Sequence, residues 1–295
     1  MTAERPRLFC FGLGYSATAL ADRLLAQGWS VAGTCQSEEK RRDLAARGIE
    51  AHVFDGGRPF ADADAALAGA THLLSSVPPA EAGDPVLCAV GGILVGAAQW
   101  RWAGYLSTTG VYGDTGGAVV DEGAPLAPTS TRGRRRVAAE AAWLALHADH
   151  RLPVHVFRLA GIYGPGRSAL DRVRDGTARR VVKPGHAFGR IHVDDIAGVL
   201  VASMARPDPG AVYNVCDDEP APPAEVIEFA CRLLGRPPPP PVTFEEAAKT
   251  MSPMALSFWR DNRRIDNGRL KRDLGVRLAY PTYREGLRAI LAAGG

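Results

Sequence analysis

Apolar and polar positions change period repeatedly along the first half of the chain. "RLFCF" at 7–11 is a short continuous apolar run of the kind a buried strand shows, and Ala17, Leu20, Ala21 and Leu24 follow at helical spacing up to Gly28. "WSVAGT" reads as a second strand, Ser37 and Gly48 bracket a second helix, and "IEAHVF" reads as a third strand. The alternation continues through "THLLSSV", a helix near residues 84–99, "GYLSTTG", a helix opening in "TSTRGRRRVAAE" at 129–140, and "VHVFRLA". Strands separated by helices predict an α/β fold with a doubly wound parallel sheet over residues 1–165, which later segments are free to complete.

After about residue 165 the rhythm loosens, and residues 166–295 read mainly as a smaller C-terminal lobe. It holds "RRVVKPGHAFGRIHVDDIAGVLVASMA", a strand-like "AVYNV", a helix from Pro222, the proline run Pro237–Pro241 and two further helical segments. The prolines cannot sit in a helix interior and read as a stiff extended connector. No internal repeat is visible.

Composition narrows the class. At 295 residues with 46% hydrophobic content the chain can fill its own core. Its +3 net charge comes from 35 basic and 32 acidic residues spread along the sequence, which gives no surface for a polyanion, so no nucleic-acid partner is expected. The five cysteines, Cys10, Cys35, Cys88, Cys216 and Cys231, form no C-x-x-C pair. They suggest neither a disulfide framework nor a zinc site. "MTAERPR" runs straight into an apolar strand without a signal-peptide core, and the longest apolar run, "AVGGILVGAA" from Ala89, is too short for a bilayer. The expectation is a cytoplasmic protein with no membrane partner.

The first strand ends in "FGLGYSATAL", placing Gly12-x-Gly14-x-x-Ala17 at the start of a helix. In a βαβ unit such small residues allow a tight turn, close approach of the backbone to a pyrophosphate and close helix–strand packing, with the helix N-terminus facing the negative charge. Gly12, Gly14, Tyr15, Ser16 and Ala17 are therefore candidate cofactor-binding residues, and the architecture is Rossmann-type. Where an NAD site holds an acid for the ribose, the second strand ends in Thr34, Cys35, Gln36 and Ser37, with Lys40 and Arg41 a turn later. The cofactor expected is NAD(P), leaning to NADP, with Thr34, Gln36 and Ser37 at the ribose. The bland alternative is a solvated helix start. Asp55 meets the adenine or caps the next turn, and both stay open.

Several motifs taken in order resemble the extended branch of the short-chain dehydrogenase/reductase superfamily, the NAD(P)-dependent sugar-nucleotide epimerases and dehydratases. The glycine turn, "LSTTGVYGD", "RLAGIYGPG" from Arg158, "IHVDDIA" from Ile191 and "YNVCDDEP" from Tyr213 carry the resemblance over nearly the whole chain. The family's turn is commonly Gly-x-x-Gly-x-x-Gly, and Phe11 stands here at its first position. The family also places a Tyr-x-x-x-Lys pair at the start of the helix after "VYG", with a glutamate four residues beyond the lysine. Counting back from Glu140, those positions are Arg132 and Arg136. By the resemblance the tyrosine moves a proton at the substrate carbinol, and the lysine holds the nicotinamide ribose. Arginine stays protonated near neutral pH, so Arg132 cannot be a proton-transfer base, whereas Arg136 can still hold ribose hydroxyls. The family's Ser/Thr position is Thr108, a hydrogen-bond donor to a substrate oxygen.

Cations crowded at a helix N-terminus oppose the helix dipole, so Arg132, Arg134, Arg135 and Arg136 form either a tolerated surface cluster or an anion site. Arg132 and Arg136 share one helical face, and with Arg158 at the end of a strand they are candidates for a guanidinium clamp on a carboxylate or phosphate. Alternatively they hold the cofactor only. Tyr112 and Tyr163 are minority candidates for the missing acid/base. "IHVDDIA" has no second histidine at ligand spacing, so Asp194 or Asp195 is read as a helix start and no metal is expected. Arg260, Arg263 and Arg264 beside Trp259 suit an anionic, nucleotide-like ligand, although a surface helix looks similar. The function expected is an oxidoreductase or epimerase-like enzyme acting on a small anionic molecule, with sugar nucleotides among the candidates and a homodimer allowed for. The alternative is a non-catalytic NAD(P)-binding redox sensor or regulatory protein.

Overall fold

The computed structural model describes residues 5–57 and 59–294. The leader-free reading of the N-terminus falls partly on residues 1–4, outside that range. Two compact units are interleaved along the chain: one takes residues up to Thr108, Thr131–Arg158 and Ile196–Tyr213, the other Thr109–Ser130, Leu159–Asp195 and Asn214 onward. Each is therefore assembled from separated segments, where the sequence pattern puts one boundary near residue 165.

The first unit is built on strands β1 (Arg7–Phe11), β2 (Ser30–Cys35), β3 (Glu50–Val53), β4 (His72–Ser75) and β5 (Trp102–Thr108). After β6 (Val119–Val120) come β7 (Val154–Leu159), β8 (Gly161–Tyr163), β9 (Arg180–Val182), β10 (Arg190–His192) and β11 (Val212–Val215). The central sheet is parallel with seven strands in the order β11-β7-β5-β4-β1-β2-β3, so a late strand completes one edge. The helices are α1 (Tyr15–Ala26), α2 (Glu38–Ala46), α3 (Ala63–Leu67), α4 (Pro85–Gly96) and α5 (Thr131–His150). Phe9, Phe11, Leu73, Tyr105, Trp143 and Val156 belong to one continuous apolar core. The strands read as apolar runs because helices cover the sheet. The strand order reverses beside β1, with β2 on one side and β4 on the other, and in open α/β sheets ligands bind at such switch points.

The second unit holds β8 paired with β10, and two further strands, β12 (Pro241–Thr243) and β13 (Arg264–Ile265), paired with β9 and β6. The proline run thus ends in a strand, as a chain with fixed φ and few donors can at an edge. Asp194 and Asp195 lie inside the first turn of α6 (Ala169–Arg174)'s successor, α7 (Val193–Ala205), and so do not precede the helix as its cap. Asp195 instead receives the backbone N–H groups of Ala279 and Tyr280 at 2.7 and 3.1 Å, tying α7 to the C-terminal segment. Among the described residues no helix is long and apolar enough to cross a membrane.

Candidate active site

The glycine turn sits at the switch point. Gly12 has φ +83°, a left-handed conformation that a side chain resists, and a Cβ there would meet Val77 and the Ser76 hydroxyl at 3.1 and 3.2 Å. Three contacts fix the turn: Gly12 N–H donates to Thr34 Oγ1 at 2.9 Å, Leu13 N–H to the Thr34 carbonyl at 2.7 Å, and Ser76 Oγ to the Gly12 carbonyl at 2.7 Å. Gly14 needs no unusual φ, yet a Cβ on it would point into open space. No side chain caps α1 and no carboxylate occupies its first turn, which leaves the positive end of the helix for an anion. This cradle fits a dinucleotide pyrophosphate, with Tyr15, Ser16 and Ala17 in the first helical turn beside it.

The ribose candidates behave differently. Thr34 is 1% exposed and its hydroxyl is spent on Gly12, so it shapes the turn from below and is withdrawn from a ribose. Ser37 caps α2, accepting from Lys40 N–H at 3.2 Å, and Arg41 pairs with Glu38 at 2.7 Å, so the helix-start reading accounts for both. Gln36 and Lys40 remain exposed at the end of β2. Asp55 is exposed, and its carboxylate accepts from Gly57 N–H at 2.9 Å, as a turn cap does.

The arginines of α5 separate by role. Arg134 donates to Thr131 Oγ1 at 2.9 Å and Arg135 pairs with Glu81 at 3.2 Å, both at the surface. Arg132 is exposed and, among the described residues, makes no hydrogen bond or ion pair. Arg136 turns in toward β5, its Nη1 donating to the Leu106 carbonyl and to Tyr105 Oη. That brings it to the strand that ends in Thr108. Arg158 departs from the expected clamp: it is 4% exposed, and its Nε and Nη2 grip both oxygens of Glu140, itself 2% exposed, at 2.8–3.2 Å. Ser107 Oγ also donates to Glu140. A buried guanidinium needs a buried carboxylate, and α5 supplies one. Arg158 is thereby a brace between strand and helix.

The two phenols are committed as well. Tyr112 is buried and donates to Asn214 Oδ1 at 2.7 Å. Burial pushes the Tyr163 phenol well above its usual range, and it donates to the Thr282 carbonyl at 3.5 Å. Neither stands as a ready base. In the second unit Arg263 is taken up by Asp261 and the Gly113 carbonyl, while Arg260 and Arg264 are exposed. The sequence reading missed Ser76 and Val77 as walls of the glycine turn and Tyr105 as the partner of Arg136. "THLLSSV", a strand with small polar residues at its C-terminal end, carried the only signal for the first.

A solved structure from Silicibacter pomeroyi, described as a functionally unknown conserved protein, is 52% identical, covers 98% of this chain and 99% of its own, and superposes with a TM-score of 0.88. A profile described as the NAD dependent epimerase/dehydratase family matches residues 103–216, the stretch holding Thr108, α5 and β7. Over that stretch the chain is similar to that family. Protein YeeZ of Escherichia coli is 29% identical over 283 residues, covering 92% of this chain and 94% of its own. A 3-diazoavenalumate denitrifying reductase from a Streptomyces species is 34% identical over 185 residues, 58% of this chain and 59% of the reductase.

Glu140→Gln keeps the shape but leaves Arg158 buried and uncompensated, and should cost about 3–5 kcal/mol of stability in chemical denaturation. A loss below about 1 kcal/mol would mean the ion pair does not brace the sheet.

Proposed function

We propose that the chain binds NAD(P) in the Gly12–Ala17 turn and transfers hydride to or from a small anionic substrate, as an oxidoreductase or epimerase-like enzyme. The observation carrying this reading is the Gly14 cradle at the switch point, open above an uncapped helix start. The similarity to a reductase supports hydride chemistry. When bound, the nicotinamide supplies the hydride acceptor or donor. This chain's residues would then hold the pyrophosphate (Gly12, Gly14, Ala17), the ribose hydroxyls (Arg136) and a substrate oxygen (Thr108). The anionic substrate follows from Arg132, an exposed fixed charge where the family's tyrosine stands. That replacement also favours a second reading, a non-catalytic NAD(P)-binding sensor, since no residue at 132 can take a proton.

Gly14→Val should abolish NAD(P) binding by calorimetry while the melting temperature holds. Arg136→Ala should weaken cofactor binding about tenfold, Arg136→Lys less, and Arg134→Ala not at all. Equal damage at Arg134, or none at any of these arginines, would return the cluster to a solvated helix start. Stoichiometric NAD(P) binding with no turnover across a panel of anionic carbonyl and carbinol compounds would favour the sensor.

The lean to NADP rests on the missing acid at the end of β2, with Lys40 exposed there. Titration of both cofactors should show NADP the tighter, and tighter NAD overturns the lean.

A homodimer is proposed from the outer face of the first unit. α4 carries no charged residue and exposes Cys88, Gly92, Val95 and Gly96, and α5 exposes Ala138, Ala141, Ala142 and Ala145. Sedimentation should give a dimer that Val95→Arg dissociates; a wild-type monomer at micromolar concentration would end this proposal.

A further inference from the structure

Arg136 is held by more than its own helix. Its Nη1 donates to Tyr105 Oη at 3.1 Å as well as to the Leu106 carbonyl, and its guanidinium carbon lies 5.6 Å from the centroid of the Tyr105 ring. Tyr105 is fully buried and stacks on Trp143 with centroids 5.7 Å apart and planes 21° from parallel. Trp143, also fully buried, donates its indole N–H to Asp84 Oδ2 at 3.0 Å. The other Asp84 oxygen accepts the N–H groups of Val86 and Leu87, which fixes it to the start of α4. A buried series thus runs from the α4 cap through Trp143 and Tyr105 to Arg136.

An arginine on a helix surface has many rotamers, and a ligand must stop that motion when it binds. Here the motion is already stopped. Burial pushes the Tyr105 phenol well above its usual range, so it remains a neutral acceptor beside the cation. The planar guanidinium can give one nitrogen to Tyr105 and Leu106 and keep its other N–H donors for a ligand, which a single ammonium does less well.

We propose that Tyr105, backed by Trp143 and Asp84, is a positioning residue that pre-orients Arg136 for the hydroxyls of a bound NAD(P). The proposal rests on the reading above that Arg136 anchors the cofactor. It also gives a reason for arginine at the family's lysine position in this chain: the Tyr105 oxygen and the Leu106 carbonyl form a two-acceptor seat suited to a fork.

The test is a double-mutant cycle between Tyr105→Phe and Arg136→Ala, read as NADP and NAD affinity by calorimetry and as melting temperature. Tyr105→Phe keeps the ring and its stacking, and should weaken cofactor binding about fivefold to tenfold with little change in melting temperature. In the Arg136→Ala background the same replacement should leave affinity unchanged. Equal effects of Tyr105→Phe in both backgrounds would show a packing role and overturn the proposal, as would no effect on affinity where Arg136→Ala has one. If Arg136→Ala binds cofactor like the wild type while Gly14→Val does not, the ribose role of Arg136 is wrong and the proposal falls with it. A wild-type chain that binds neither cofactor would instead fail the cofactor reading itself. Should Tyr105→Phe not fold, Trp143→Phe, which loses the N–H to Asp84 and part of the ring stacked on Tyr105, should weaken binding about twofold to threefold and keep the same dependence on Arg136. Unchanged affinity in that variant overturns the proposal.

Discussion

The pairing of Arg158 with Glu140 is the constraint around which the first unit is organised. Two charges nearly withdrawn from water cost several kcal/mol each to desolvate, and only close, multiply hydrogen-bonded geometry offsets that. Arg158 brings β7, Glu140 brings α5, and Ser107 brings β5 to the same carboxylate. Once this is formed, α5 cannot slide or rotate on the sheet without stranding a buried charge. The position of Arg136 one turn earlier on α5, and of Thr108 directly after Ser107, is therefore set by this buried ion pair.

The glycine turn at the other side of the sheet is fixed by different physics. Gly12 takes a left-handed turn with Ser76 and Val77 standing where a Cβ would go, and hydroxyls from β2 and from the residue after β4 hold its amide and carbonyl. Rigidity here matters because a pyrophosphate is held by backbone dipoles, which only a preformed turn can aim. The Thr34 hydroxyl accepts from the Gly12 amide and so helps to make that turn. Gln36 and Lys40, beyond the end of β2, stay exposed, and solvent screens the Lys40 charge.

Arginines at 132 and 136, where the resemblance implies a tyrosine and a lysine, change the chemistry available. A guanidinium neither accepts nor releases a proton near neutral pH, so this pair can orient and neutralise but cannot relay. The remaining phenols are turned inward, Tyr112 to Asn214 and Tyr163 toward Thr282. In the second unit several basic residues are paired with acids: Arg180 with Glu228, Arg263 with Asp261, Lys271 with Asp218 and Arg284 with Glu219.

How much was legible in the sequence follows from what kind of information each feature uses. The alternation of apolar runs and helical periods is local, and it was enough to predict the parallel sheet, because each element must bury its own stripe whatever its neighbours are. The Gly12–Gly14–Ala17 spacing and the arginines at 132 and 136 are likewise properties of short stretches, and the structure places them at the expected strand and helix ends. Partner choice is not local. Ser37 and Asp55 turned to nearby backbone N–H groups, since a short polar side chain beside a helix start or turn finds a donor there before any ligand arrives. Arg158 could equally have faced solvent, a ligand or the core; Glu140, brought from a different element by the packing of α5, decided it. Tyr105 carried no signal at all in the sequence, because an aromatic in an apolar strand looks like core until the structure shows Arg136 resting on its hydroxyl.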